Sequence, residues 1–184
     1  MSWRARVLSK STEITIREAV PNDASDLATL VRLEAECAQQ TAAYYELDPN
    51  FDWIAFMTNK LRRGQRKFFL AHRVKELAGY IEVHVVTHPK PEKHRHRLFA
   101  FARPRRAGTR SPLKPISSGI IEGCYVRESH RRCGIGRLLV DEAMRWFNLK
   151  ALERVELAVL AYNEPGRRFW EECGFKPFRL LLTK

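Results

Sequence analysis

Residues 120–139, IIEGCYVRESHRRCGIGRLL, hold the densest group of side chains that could do chemistry. An apolar run ends at Cys124, Tyr125 and Val126, and Arg131, Arg132, Cys133, Gly134, Ile135, Gly136 and Arg137 then open an amphipathic run. The pattern is a strand feeding a glycine-containing loop that starts a helix. Glycines let backbone N–H groups close on an anion without side chains in the way. The helix start adds unpaired N–H groups and the positive end of its dipole. With three arginines nearby, the chemistry is the binding of a pyrophosphate. The plain alternative is a basic helix start with two ordinary turn glycines.

Three phosphate-loop patterns compete. A P-loop needs G-x-x-x-x-G-K-[ST], which is absent. A dinucleotide loop needs G-x-G-x-x-G, and Leu139 stands where its third glycine should be, although Glu156 falls about 20 residues on. Arg131 to Gly136 instead match R-x-x-G-x-G, which resembles the pyrophosphate loop of the GNAT superfamily of N-acetyltransferases. About 30 residues downstream, LAVLAYNEPGRRFWEECGF resembles the second half of that family's cofactor site: a strand ending at Asn163, a short helix, the pair Phe169-Trp170, and Gly174-Phe175. REAVPNDASDLATL is similar to its first strand and helix. The resemblance covers nearly the whole chain outside one basic segment.

The resemblance implies acetyl-CoA as co-substrate and direct transfer of its acetyl group to a primary amine of a small molecule or protein. Strands at 120–126 and 155–161 should splay at their ends. Pantetheine would lie in the gap against backbone near Cys124, Tyr125 and Val126, with Asn163, Phe169 and Trp170 beside it and the pyrophosphate on Arg131–Arg137. An amine attacks only when uncharged, so a carboxylate should take its proton. Glu122 is the first candidate, because it lies inside an apolar strand and alternation gives it one face with Ile120, Cys124 and Val126. The same position holds an acid in similar strands of polyamine and aminoglycoside acetyltransferases. Its structural alternative is an ion pair with an Arg. Glu82 is the second candidate, with a solvent-facing position as its alternative. The oxyanion would be met by an amide near Val126. The family's usual Tyr beside the sulfur is here Trp170, whose indole is no useful proton source. That leaves Tyr125 or Tyr162, or an unaided thiolate. No His is placed by sequence to activate Cys124 or Cys133 as a nucleophile.

Acceptor selectivity is expected near Tyr45, Glu46, Asp48 and Trp53, where acids and aromatics suit a cationic amine. The alternative is a helix start with Asp48 as its cap. Between His88 and Lys114, nine Lys and Arg face Glu92 alone, and this one stretch carries most of the net charge of +12. It points to an acidic partner such as RNA or a ribosome. A binding protein that keeps the fold with little turnover is therefore the competing function.

These groups require a scaffold, and the periodicities supply one. The predicted order is β-α-α-β-β-(arm)-β-α-β-α-β in a single domain over 1–184, with the basic arm at about 87–118. The strands are 14–18, 67–74, 79–86, 120–126, 155–161 and a last one within FKPFRLLLTK. The helices end near Gln40, Arg63, Lys150 and Cys173. The fold class is mixed α/β (α+β), a mostly antiparallel central sheet flanked by helices with the splayed pair holding the cofactor. Four scattered cysteines without a C-x-x-C pair fit a reducing cytoplasm. No apolar run approaches a membrane span. The basic, Ser-containing MSWRARVLSKST is only faintly like a mitochondrial presequence.

Overall fold

The computed structural model describes residues 13–42, 46–87, 116–152 and 154–180. β1 (Ile14–Glu18) leads through a 3-10 turn at Pro21–Asp23 into α1 (Ala24–Ala42), and α2 (Trp53–Arg63) follows. Next come β2 (Arg66–Arg73), β3 (Glu76–Thr87), β4 (Ser117–Val126), α3 (Ile135–Leu149), β5 (Val155–Leu157) and α4 (Glu164–Glu172). The five strands form one sheet in chain order, antiparallel except for the parallel β4–β5 pair. No helix among the described residues is long and apolar enough to cross a membrane.

Local chemistry sets the ends of these elements. Asp23 closes the turn before α1 by accepting from the Val20 amide at 2.8 Å, and Arg17 grips both of its oxygens at 2.7 Å. Asp52, rather than Asp48, caps α2 by accepting from the Ala55 amide at 2.8 Å. Gly64 stops α2 in the left-handed region at φ 63°. Asp48 instead folds its own loop, accepting from the Asn50 amide at 2.9 Å.

The sheet has a core on each side. Against α3 lie Phe69, Ile81, Val83 and Ile121, packed on Ile135, Leu139, Val140, Ala143 and Phe147. On the other side Leu27, Ala28 and Leu30 of α1 and Met57 of α2 cover Phe68, Leu70 and Tyr80. Leu138 of α3 is 41% exposed, while Leu139 and Val140 are buried.

Three expectations change. β3 and β4 reach Thr87 and Ser117, which pair as the last rung, so both strands run into the segment assigned to the basic arm. The rest of that arm, 88–115, lies outside the described residues. The strand foreseen at 155–161 ends at Leu157 and lies at the sheet edge. Val155 and Leu157 are partly buried against the α3-side core, while Val159 is 37% exposed. No strand forms at 174–180 among the described residues.

Phe147 fills the α3 core so closely that a Cβ on Gly119 would stand 2.6 Å from its ring. Phe147→Ala should cost about 3–5 kcal/mol of unfolding free energy, measured by urea denaturation.

Candidate functional site

β4 is paired to β3 along its whole length, from Ser117 to Val126, but to β5 only at Gly119↔Val155, Ile120↔Glu156 and Ile121↔Leu157. Beyond Ile121 the two parallel strands part. The sheet opens there beside the start of α3, as the resemblance implies. Two backbone groups of β4 in this stretch are met by side chains. The Cys124 amide donates to Glu34 Oε1 at 3.2 Å, and the Val126 carbonyl accepts from Arg131 Nε at 3.0 Å.

The loop before α3 carries two glycines and three arginines within residues 131–137. Gly134 is the N-cap at φ 80°, with no side-chain cap, and a Cβ there would meet nothing within 4 Å. The first-turn amides of α3 have no side-chain cap, and helix geometry leaves them without internal partners. Arg132 also adopts a positive φ of 60°. Arg73 at the end of β2 reaches Cys133 Sγ at 3.4 Å and brings a further cation to the loop. Sequence reasoning had no signal for Arg73, since only the antiparallel sheet returns it to this end. Gly136 also serves packing. A Cβ there would stand 3.1 Å from the Phe169 ring, so its absence lets α4 close on α3. Arg137 is turned away from the loop. It donates to the Glu172 carbonyl at 2.9 Å and lies 3.2 Å from Asp141, fastening the C-terminal end of α4.

Asn163 caps α4, accepting from the Gly166 amide at 3.0 Å. Trp170, half-buried, stacks edge-on between Phe169 at 4.9 Å and Phe175 at 5.4 Å. Cys124 packs toward the α3 core, where burial, with Glu34 next, pushes its thiol pKa far up, so it offers no thiolate. Tyr125 lies on the α1 side of the sheet, with Arg131 5.7 Å from its ring. Its pKa is raised, first by burial and then by Cys37.

The carboxylates differ most from the strand-alternation reading. The β3–β4 register slips between Glu82 and Val83, whose partners are Gly123 and Ile121, so Glu122 is the extra residue of a bulge. The bulge breaks the alternation that put Glu122 on one face with Cys124 and Val126. Its carboxylate meets Arg66 at 3.2 Å and His84 Nδ1 at 3.7 Å, with the side chain 47% exposed. Glu82 does not face solvent. It is 3% exposed and held by Lys60 at 3.0 and 2.9 Å and by Arg66 at 2.5 Å. His84, next on the same face of β3, has its pKa lowered by burial and by Arg66, which keeps it neutral.

A third carboxylate, Glu34 of α1, escaped the sequence reading because it looks like one of many polar helix positions. It is half-buried and lies over Gly123, where a Cβ would stand 3.2 Å from Oε2. It accepts from the Tyr80 hydroxyl and from the Cys124 amide. Burial raises its pKa, the Tyr80 and Cys124 hydrogen bonds oppose this, Glu82 adds to the rise, and Lys60 lowers it.

Of the acceptor-side residues, Tyr45 lies outside the described residues. Glu46 and Asp48 are exposed, and Trp53 packs edge-on with Phe51 at 4.8 Å. A separate polar cleft of about 410 Å³, lined by Asp26, Thr29, Glu76, Arg127, Ser129 and His130, contains none of the anticipated site residues.

The model of the acetyltransferase (GNAT) family matches residues 27–175. No curated protein matches the chain. Among solved structures, a tetramutant of the BH1408 protein from Bacillus halodurans superposes with a TM-score of 0.73 at 18% identity, covering 92% of this chain and 98% of its own. A ribosomal-protein-alanine N-acetyltransferase from Brucella melitensis biovar Abortus 2308 gives 0.64 at 16% identity, with 94% and 99% covered. A predicted acetyltransferase with acetyl-CoA from Clostridium acetobutylicum gives 0.63 at 16%, with 94% and 96% covered.

The charge cluster yields a stability contrast. Glu82→Ala leaves Lys60 and Arg66 facing each other without their buried counter-charge and should cost about 3–5 kcal/mol. Glu122→Ala removes a half-exposed partner and should cost about 0–1 kcal/mol. Urea melts of both variants at neutral pH check the difference.

Proposed function

The chain belongs to the GNAT acetyltransferase family, and from that premise we propose that it transfers the acetyl group of acetyl-CoA to a primary amine. The observation that carries the proposal is the parting of β4 from β5 beyond Ile121 beside the uncapped start of α3. A thin, flexible pantetheine arm with amide groups suits an open strand edge, and a pyrophosphate suits the helix start. In this reading Arg131, Arg132, Cys133, Gly134, Ile135 and Gly136, with Arg73, hold the pyrophosphate. Backbone at Cys124, Tyr125 and Val126 holds the pantetheine, and Asn163, Phe169 and Trp170 form the wall on the α4 side. Arg137 supports that wall.

The chemistry follows from the groups present. The thioester carbonyl is polarised by a β4 amide, and attack by the neutral amine places a negative charge on that oxygen. A carboxylate on the α1 side of the sheet accepts the amine's proton. The acids at Glu46, Asp48 and Asp52, with Trp53 and Phe51, favour a cationic acceptor drawn from solution. Acceptor identity is open to a screen of polyamines, aminoglycosides, amino acids and peptides, read by release of free thiol from acetyl-CoA. Binding of acetyl-CoA with no thiol release across that screen would favour the alternative of a binding protein that uses its basic segment.

Gly134→Asp is the direct test of the phosphate loop. Asp tolerates the left-handed backbone better than most residues, and nothing crowds that position, so the fold should survive. The added charge should weaken acetyl-CoA binding by about tenfold or more, as read by calorimetry. Unchanged affinity in the folded variant would end the assignment. Trp170→Tyr should keep turnover within about twofold of wild type or raise it, because a hydroxyl is gained where only an indole stands. A large drop in melting temperature with an unchanged acetyl-CoA-induced shift would mean that Trp170 serves the core alone.

A further inference from the structure

We infer that Glu34 is the proton acceptor of the transfer, and that it hands the proton on to the departing CoA sulfur. The inference rests on the acetyl-CoA reading and adds the residue that does the proton chemistry. Three carboxylates line the α1 side of the sheet near the opening, and two are committed elsewhere. Both oxygens of Glu82 are occupied by Lys60, and Arg66 holds one of them as well. A proton arriving there would strip two partly buried cations of their counter-charge. Glu122 is paired with Arg66 and lies in the bulge, where it no longer shares a face with Cys124. Glu34 alone reaches the opened part of β4. Its Oε1 stands 3.2 Å from the Cys124 nitrogen, its other oxygen accepts from Tyr80, and Gly123 leaves the room in which the carboxyl sits.

The Cys124 amide belongs to the stretch of backbone, Cys124 to Val126, along which the pantetheine arm is expected to lie. When the acetyl oxygen takes the Cys124 N–H, Glu34 gives up that bond and is left within hydrogen-bond reach of the attacking nitrogen. The amine nitrogen bonds to the carbonyl carbon, and the C=O π pair moves to oxygen. The nitrogen's proton passes to the Glu34 carboxylate. The oxyanion then reforms C=O as the C–S bond breaks, and Glu34 returns the proton to the thiolate. The products are the amide and CoA thiol, with no other reactant consumed. This route gives the sulfur its proton although Trp170 occupies the position of the family's usual Tyr.

The groups facing Glu34 are Tyr80 and Glu82 from β3, Lys60 from α2 and the Cys124 amide from β4. Burial sets the net direction, so the carboxyl titrates above the ordinary glutamate range. Activity should therefore fall with acidity earlier than an exposed glutamate would require. Tyr80→Phe removes a hydrogen bond to the charged form, so it should move that limb to still higher pH.

The test uses the full chain, acetyl-CoA and hydroxylamine, a small amine largely uncharged near neutral pH, with rates corrected for the uncatalysed reaction and expressed per unprotonated amine. Glu34→Gln should lower kcat/KM by about 10²-fold or more and erase the acid limb, while acetyl-CoA affinity by calorimetry stays the same or tightens. Tyr80→Phe should retain activity with its acid limb displaced upward. Glu34→Gln within twofold of wild type, or slower with the wild-type pH profile intact, overturns the inference and leaves the transferase reading standing. Wild-type protein that fails to bind acetyl-CoA, or binds it without releasing thiol to hydroxylamine, overturns that reading and this inference with it.

Discussion

Strand β4 has two edges, and they are paired for different lengths. On one side β3 accompanies it to Val126, while on the other β5 leaves after Ile121. A strand inside a sheet must satisfy backbone groups on both sides or leave them to water and side chains. Here the Cys124 amide is met by Glu34 and the Val126 carbonyl by Arg131. Both arrangements are exchangeable, because a side-chain bond breaks without unfolding a ladder. The constraint thus produces a slot with replaceable hydrogen bonds, open at the end where α3 begins.

Charge on the α1 side of the sheet is arranged around the same opening. Glu82 lies within a hydrogen bond of two cations, and Arg66 also reaches Glu122. The pairs use the positive charge locally and leave Glu34 without an ion pair among the described residues. Its partners are a neutral hydroxyl and an amide. Tyr80 is buried, and its own pKa is driven well up by burial and by Glu34, so it stays a hydrogen-bond donor. Of the neighbouring carboxylates, Glu82 and Glu122 are ion-paired, while Glu34 is met by a hydroxyl and an amide. Gly123 makes this possible, since any side chain there would fill the space of the Glu34 carboxyl.

The opposite wall is mechanical rather than electrostatic. Phe169 lies against the bare backbone of Gly136, and Arg137 ties α3 to the last carbonyls of α4. A cation at a helix C-terminus is favourable for the dipole as well as for the hydrogen bond. Two glycines within three residues therefore do different work. Gly134 supplies the left-handed turn that opens α3, and Gly136 lets a helix from far along the chain close in.

The reading from sequence succeeded where one stretch of chain carries its own instructions. The strand–glycine–helix run at 120–139, the short helix after Asn163 and the alternation of helices and strands depend on residues a few positions apart. Propensity, capping and amphipathic spacing act over that range, so the fold class and the strand–loop–helix order at 120–139 were legible. Decisions that join distant segments were not. Alternation along β4 assumed an unbroken pleat, and the bulge at Glu122 appears only once β3 is laid beside it. Glu82 alternated like a surface residue, and its burial follows from Lys60 and Arg66 arriving from α2 and β2. Glu34 carries no local mark, and only the packing of α1 across Gly123 sets its carboxyl against the Cys124 amide. Sequence determines which residues can bind, cap and turn. The register of neighbouring strands and the seating of a helix on a sheet decide which carboxylate stands at the open edge, because those are energies of contact between segments that no single stretch contains.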